Sequence, residues 1–182
     1  MKILTEASGS LTSGYLIGAI QAAGYQAVAS DINSDIVGHY LADDFVLFPK
    51  SNEPGLWKAT ADILQQHAID MVLPSLDETL LGWAERREAF AADLGCRVIV
   101  SAPEVVAIFQ DKWETSRFFQ QHDIPCPGSS LAQDYPLVKP RFGRGGQGVS
   151  VPEQAVNMEG MISQELLTGT EYTIDILCDA AG

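Results

Sequence analysis

The chain has 182 residues, of which 46% are hydrophobic, and a formal net charge of -13 from 24 acidic and 11 basic residues. This length is enough for one good core, or for one core and a smaller lobe. The strong negative charge excludes a surface that tracks a phosphodiester backbone, so nucleic acid is not an expected partner. Apolar runs are far shorter than the roughly 18 to 20 residues of a membrane span, so we expect a soluble protein without membrane contact.

Cysteine usage points to a reducing compartment. Cys96, Cys126 and Cys178 are widely spaced and form no C-x-x-C pair, which argues against a disulfide framework or a zinc site. The three histidines share no metal-binding spacing, and no G-x-S-x-G motif offers a hydrolase nucleophile. We therefore expect a cytoplasmic protein.

The first hundred residues are predicted to alternate strands and helices. The predicted strands are 2–5, 27–30, 45–48, 71–74 and 97–100, and the predicted helices are 11–23, 56–67 and 79–94. Short, continuously apolar strands that are separated by helices indicate a parallel sheet covered on both faces. The fold class is thus predicted to be α/β, with a Rossmann-like first domain.

From residue 101 the pattern changes to that of a smaller α+β lobe. Helices are predicted at 103–109 and 112–122, and strands at 137–139, 149–151, 162–165 and 171–176. Short strands joined by tight turns favour antiparallel pairing. We predict three segments: a first domain at 1–102, a first subdomain with a glycine-rich flap at 103–163, and a hinge with the first strand of a further, incomplete lobe at 164–182.

A glycine loop at Gly9–Gly14 joins the first strand to the first helix. With Asp31 at the end of the second strand, it invites comparison with dinucleotide-binding folds. The spacing is G-x-x-x-x-G, however, and Tyr15 and Leu16 stand where a Walker loop has its lysine and hydroxyl. A structural turn or a substrate-side contact is the alternative, with a helix N-terminus that can attract an anion.

A second glycine loop follows Lys139 in the run Val138–Val149 and joins two predicted strands. Glycine tolerates positive φ and lets backbone N–H groups approach phosphate oxygens, and the Lys139 ammonium can reach the same oxygens. Arg141 and Arg144 either neutralise a phosphoryl group or keep the loop soluble. Taken alone, the loop is equally consistent with a loose hairpin connection.

Three motifs in order resemble the ATP-grasp family. They are the helix start Asp111-Lys112, the flap K-P-x-x-G-x-G-G-x-G from Lys139 to Gly148, and the hinge E-x-x-x-G-x-E from Glu165 to Glu171. The turn P-x-x-D-E-x-L from Pro74 to Leu80 is similar to that of carbamoyl-phosphate-synthase-like members. The resemblance implies a pre-ATP-grasp domain followed by the first ATP-grasp subdomain.

The resemblance implies ATP as the ligand and assigns roles to particular residues. Lys112 and Lys139 would contact phosphates, the first hinge residues would recognise the adenine edge, and Glu171 would accept hydrogen bonds from the ribose. The residues expected to bind the nucleotide are Lys112, Lys139, Gly143, Arg144, Gly145, Gly146, Gly148, Gln164, Glu165, Leu167 and Glu171. Gln164 stands where many relatives carry glutamate.

Two further pairs of residues, Thr173 with Asp175 and Asp77 with Glu78, each have two possible interpretations. Alternation with a period of two places Thr173 and Asp175 on the polar face of the last predicted strand, either toward a substrate or toward solvent. Asp77 and Glu78 follow a parallel strand, where open sheets bind ligands, but an acidic helix cap is the better interpretation.

The resemblance also implies a reaction. ATP-grasp enzymes mostly phosphorylate a small-molecule carboxylate, and an amine or ammonia then attacks the acyl phosphate while ADP is released. Mg²⁺ is expected only in a complete enzyme, because the family's metal ligands follow the hinge and the chain ends at Cys178–Gly182 in what resembles a turn. We therefore expect an inactive fragment, completed by further sequence, by another chain or in a homo-oligomer. The alternatives are a non-catalytic nucleotide-binding or assembly module and an NAD-dependent dehydrogenase.

Overall fold

The computed structural model describes residues 1–174 and 176. The chain forms two compact units, Met1–Asp111 and Lys112–Gly182, which we call the first and second unit. The domain bounds 1–102, 103–163 and 164–182 follow the organisation of a family and stay predictions. None of the helices within the described residues is long and apolar enough to cross a membrane.

The first unit is built on a five-stranded parallel sheet. Its strands are β1 Lys2–Thr5, β2 Gln26–Asp31, β3 Asp44–Leu47, β4 Met71–Leu73 and β5 Arg97–Val98. They lie in the order β3-β2-β1-β4-β5, and each neighbouring pair is parallel. The predicted α/β class with a Rossmann-like parallel sheet is confirmed. The strand order reverses between β1 and β4, and ligands of open α/β sheets bind outside the carboxyl ends of the strands at such a point.

Helices cover both faces of this sheet. They are α1 Ser13–Ala22, α2 Val37–Leu41, α3 Leu56–Gln66, α4 Asp77–Leu94 and α5 Pro103–Gln110. Successive strand residues point to opposite faces, so Ile3 packs with Ile17 on one side while Leu4 packs with Trp83 on the other. Two separate core clusters result, as the continuous apolar strands predict.

Helix α2 is absent from the sequence prediction. It has only five residues and no side-chain cap, so it carries little local signal. Its position depends on Gly38, where a Cβ would lie 2.5 Å from the carbonyl oxygen of Ser8. Only glycine permits that approach, and the helix is therefore placed by tertiary packing.

The second unit contains α6 Lys112–Gln121 and a three-stranded antiparallel sheet. Its strands are β6 Ser129–Ser130, β7 Leu137–Pro140 and β8 Met161–Gln164, in the order β6-β8-β7. The strand predicted at 149–151 is wrong: it is reduced to one bridge between Val138 and Ser150. The small sheet agrees with the predicted α+β lobe.

The strand predicted at 171–176 does not form over its described residues. Positions 171–174 and 176 have no regular secondary structure, since no described segment pairs with them. Asp175 and the turn predicted at 178–182 lie outside the described residues, so the face assigned to Asp175 stays a prediction.

Candidate functional site

A row of hydrogen-bonded side chains crosses the sheet β6-β8-β7. The Lys139 ammonium on β7 donates to Gln164 Oε1 on β8 over 2.7 Å, and Gln164 Nε2 donates to Ser129 Oγ on β6 over 3.1 Å. Ser129 pairs directly with Gln164 in the ladder, and Lys139 lies diagonally across from it. An ammonium has donors only, so the amide must present its oxygen to Lys139. The position of Lys139 is therefore set by the sheet.

Lys112 fixes the base of the glycine loop. Its backbone N–H donates to the carbonyl oxygen of Arg141 over 3.0 Å, and its ammonium reaches the oxygens of Gly143 at 2.7 Å and Arg141 at 3.3 Å. The first residue of α6 thus anchors the loop where it leaves β7.

The two ammonium groups form a locally positive site. Burial lowers the pKa of Lys139, and the nearby charge of Lys112 lowers this pKa further. None of the ion pairs among the described residues involves either lysine. Two positive charges that have no acidic partner among the described residues, in a chain with a net charge of -13, make a site that an anion would stabilise.

The glycine loop has the backbone that an anion site requires. Gly143, Gly145, Gly146 and Gly148 have φ of 103°, 66°, 72° and 74°. Space around the first three is open, whereas a Cβ on Gly148 would lie 2.9 Å from Pro140 Cγ. Within the described part of the chain, the N–H groups of Gly145 and Gly146 have no acceptor. Glycines at positive φ in a turn can bring successive N–H groups toward a phosphate oxygen.

The remaining residues predicted to bind the nucleotide are less closely connected to the two lysines. Glu165 follows Gln164 but is tied to Gly128, whose oxygen accepts the Glu165 N–H at 2.8 Å and whose N–H donates to the Glu165 carboxylate at 3.3 Å. Leu167 and Glu171 are exposed, and neither has a hydrogen bond within the described residues. Arg144 belongs to the loop itself. The structure thus assembles Lys112, Lys139, Gln164 and the loop, whereas the roles of Glu165, Leu167 and Glu171 stay predictions.

The first glycine loop is bound to its own surroundings. The Gly9 N–H donates to Asp31 Oδ2 over 2.9 Å, and the Asn33 N–H donates to Asp31 Oδ1 over 3.2 Å. The Ser13 hydroxyl lies 2.7 Å from the oxygen of Ser8 and 2.8 Å from that of Ser10. Both carboxylate oxygens of Asp31 therefore accept hydrogen bonds from backbone N–H groups. This favours the interpretation of the loop as a structural turn.

A buried carboxylate that the sequence prediction missed lies beside the reversal point of the sheet. Glu6 follows β1, and its Oε1 accepts from the Thr79 hydroxyl at 2.7 Å and the Trp83 indole N–H at 3.1 Å. Its Oε2 accepts the N–H groups of Ser75 and Leu76, both at 3.3 Å. Burial raises the pKa of Glu6, and these hydrogen bonds partly oppose the rise. The available signal was an acidic residue directly after a buried strand.

Glu6 also revises the prediction for the start of α4. The N-cap position is Leu76, whose side chain makes no cap hydrogen bond, while Asp77 and Glu78 lie in the first helical turn. Their charge suits the helix dipole there. The free backbone N–H groups at 75 and 76 are satisfied by Glu6, an acid from a distant segment. The N-cap position predicted for Asp77 and Glu78 is therefore wrong, whereas the predicted match between their charge and the helix dipole agrees with their place in the first turn.

Residues 1–174 and 176 contain no cluster of side chains suited to binding a metal ion. No group of three or more histidine, cysteine, aspartate or glutamate side chains within this part could hold a metal ion. We accordingly assign no metal ligand there.

Two family models match the chain in succession. Residues 8–99 match the PylC-like N-terminal domain, and residues 109–182 match the ATP-grasp domain. The first match covers half of the chain and lies within the parallel-sheet unit. The second contains both lysines and the glycine loop.

The chain is similar to one curated protein in sequence and to several solved structures in fold. The chain is 22% identical to a carbamoyl-phosphate synthase of Methanobrevibacter smithii over 85% of its length and 46% of the relative. It superimposes on N5-carboxyaminoimidazole ribonucleotide synthetase of Thermotoga maritima with a TM-score of 0.64 at 18% identity, over 91% of this chain and 46% of that one.

A second similar structure was solved with a nucleotide. It is the biotin carboxylase domain of the Hydrogenobacter thermophilus 2-oxoglutarate carboxylase, in complex with MgADP, ADP and bicarbonate. The TM-score is 0.62 at 18% identity, over 82% of this chain and 37% of that one. The chain thus spans about half the length of the relatives it matches, or less.

Proposed function

Since the first half of this chain belongs to the PylC-like N-terminal domain family and residues 109–182 match the ATP-grasp domain, we propose that the chain is the ATP-binding portion of an ATP-dependent ligase that acts on a small-molecule carboxylate. The observation that carries the proposal is a pair of ammonium groups, Lys112 and Lys139, that have no acidic partner among the described residues and lie beside a glycine loop with available N–H groups. A nucleotide polyphosphate supplies the negative charge and the acceptor oxygens that both features require.

The described residues bind and orient the phosphates. Lys139 is positioned by the sheet and donates to phosphate oxygens, while Lys112 holds the base of the loop so that the N–H groups of Gly145 and Gly146 can close on the same anion. Gln164, Glu165 and Leu167 supply the adenine contacts, and Glu171 supplies the ribose contact. Positioning and charge neutralisation account for most of catalysis in phosphoryl transfer.

In the proposed reaction the carboxylate of the substrate attacks the terminal phosphorus of ATP, which forms an acyl phosphate and releases ADP. An amine or ammonia then displaces the phosphate. Mg²⁺ would supply charge neutralisation between the terminal phosphates.

Calorimetric titration of the chain with ATP, ADP and NAD tests the proposal. ATP and ADP should bind, and NAD should not compete. Lys139→Met should weaken ATP binding about tenfold to hundredfold, since a charge-assisted hydrogen bond contributes about 1.5–3 kcal/mol. Lys58→Met is the matched control, because this exposed lysine pairs with Asp62 on α3. Absence of ATP binding, or equal affinity in both variants, would refute the assignment.

A further inference from the structure

We propose that Gln164 is a charge-neutral tether, which holds the Lys139 ammonium in place without neutralising it and thereby makes the site favour the more highly charged nucleotide. The inference rests on the proposed function and deepens it. It names a residue that determines specificity through charge, in addition to any contact with the base.

The geometry shows why a tether is needed. Lys139 has a long flexible side chain, and Gln164 Oε1 holds its ammonium at 2.7 Å. The amide cannot turn away, because its Nε2 is held by Ser129 Oγ at 3.1 Å and the Ser129 hydroxyl in turn lies 3.3 Å from the Pro127 oxygen. The ammonium can only donate, so Gln164 accepts with Oε1, and its Nε2 donates to the Ser129 hydroxyl, whose own hydrogen points to the Pro127 oxygen.

A glutamate at the same position would also satisfy these groups. Its carboxylate would accept from Lys139 more strongly than the amide does, and the Ser129 hydroxyl could rotate from the Pro127 oxygen to donate to it. Local hydrogen bonding therefore does not require an amide. The property that the amide changes is the net charge of the site.

The net positive charge of Lys112 and Lys139 is what attracts an anion to this site. Lys112 and Lys139 have no acidic partner within the described residues, and the neighbouring carboxylate of Glu165 is turned to the Gly128 N–H. A carboxylate at position 164 would neutralise Lys139 and repel each phosphate oxygen. The penalty grows with the charge of the ligand, so ATP would lose more affinity than ADP.

The test compares Gln164→Glu with the wild-type chain, using ATP, ADP and inorganic tripolyphosphate as probes. Gln164→Glu should bind ATP and tripolyphosphate about tenfold more weakly or worse, and its preference for ATP over ADP should shrink. The pKa of Lys139, followed by NMR of ¹³C-labelled lysine, should rise because a carboxylate then faces the ammonium.

Two further variants isolate the charge. Gln164→Met removes the tether without adding charge, so it should weaken binding less and keep the ratio of ATP to ADP affinity. Gln120→Glu adds the same charge on the exposed end of α6, about 12 Å along the helix from Lys112, beyond the screening length at physiological salt. It should change affinity less than twofold, and circular dichroism should show all variants folded.

The outcomes separate this inference from the proposed function. If the wild type binds ATP and Gln164→Glu binds it equally well, or if Gln164→Met loses as much as Gln164→Glu, the tether is refuted and the nucleotide site stands. If tripolyphosphate binds and ATP does not, the nucleotide assignment fails, and the tether is judged by the loss of tripolyphosphate affinity. If neither binds, both are refuted.

Discussion

Replacing Gly82 by alanine tests how tightly α3 and α4 pack in the first unit. A Cβ at this position would lie 1.9 Å from Cζ2 of Trp57, far inside an ordinary carbon contact of about 3.5–4.0 Å. The indole must therefore retreat by roughly 1.6–2 Å. Trp57 also packs edge-on against Trp83 at 5.3 Å and lies under the Arg86 guanidinium at 4.6 Å, so the retreat weakens both contacts.

The expected loss is about 2 kcal/mol in the free energy of unfolding. Overpacking costs about 1–3 kcal/mol, and the weakened ring contacts add about 1 kcal/mol. The helical preference of alanine over glycine offsets about 1 kcal/mol. Gly18→Ala is the control, because Gly18 also lies inside a helix but a Cβ there has no neighbour within 4 Å. This variant should gain about 0.5–1 kcal/mol.

Urea unfolding followed by tryptophan fluorescence measures both variants. A Trp113→Phe background leaves only Trp57 and Trp83 of the first unit as probes. Gly82→Ala should lower the midpoint without changing the slope. A Gly82→Ala chain at least as stable as the parent, or a Gly18→Ala chain equally destabilised, would refute the reasoning.

Two further predictions concern charged groups. Burial holds the pKa of folded Glu6 above its unfolded value of about 4.3. Between these two pKa values the folded state binds more protons than the unfolded state. The Glu6 contribution to the free energy of unfolding is therefore present at low pH and is lost as pH rises through the folded pKa. Glu6→Gln should remove this pH dependence from urea unfolding midpoints. Lys112→Met should raise the pKa of Lys139 toward its ordinary value in ¹³C NMR, because it removes the like charge.

A specific result would contradict each of these two predictions. Parallel pH profiles for the Glu6→Gln and wild-type chains would show that the folded pKa of this carboxyl is not raised. An unchanged Lys139 titration in the Lys112→Met chain would show that the two ammonium groups do not interact. Lys58→Met, on the exposed face of α3, is the control for removal of a lysine charge.

Much of the first unit was predictable because its signals are local. Short apolar runs such as that of β4 separate helical stretches, and this pattern predicts parallel strands. The glycine loop after Lys139 was recognisable from its composition, since four glycines between two strands point to positive φ. These features depend on neighbours in the sequence.

Other elements had no local signal. Strand β6 consists of Ser129 and Ser130, two polar residues that are extended only because β8 pairs with them. The run at 149–151 has strand-like composition, yet only Ser150 finds a partner. Strand formation requires a second segment, and the sequence of one segment cannot specify whether that partner is in reach.

The sequence by itself determined the kinds of groups available: a parallel α/β framework, a glycine loop, and lysines suited to phosphate. Only the tertiary structure decided which of them meet. Lys139 encounters the amide of Gln164 across a ladder, and Glu6 reaches Thr79 and Trp83 from 73 and 77 residues away. The reason is physical: propensity and periodicity act over a few residues, whereas the energy of a charge depends on burial and on neighbours that strand register and helix packing bring within hydrogen-bond distance.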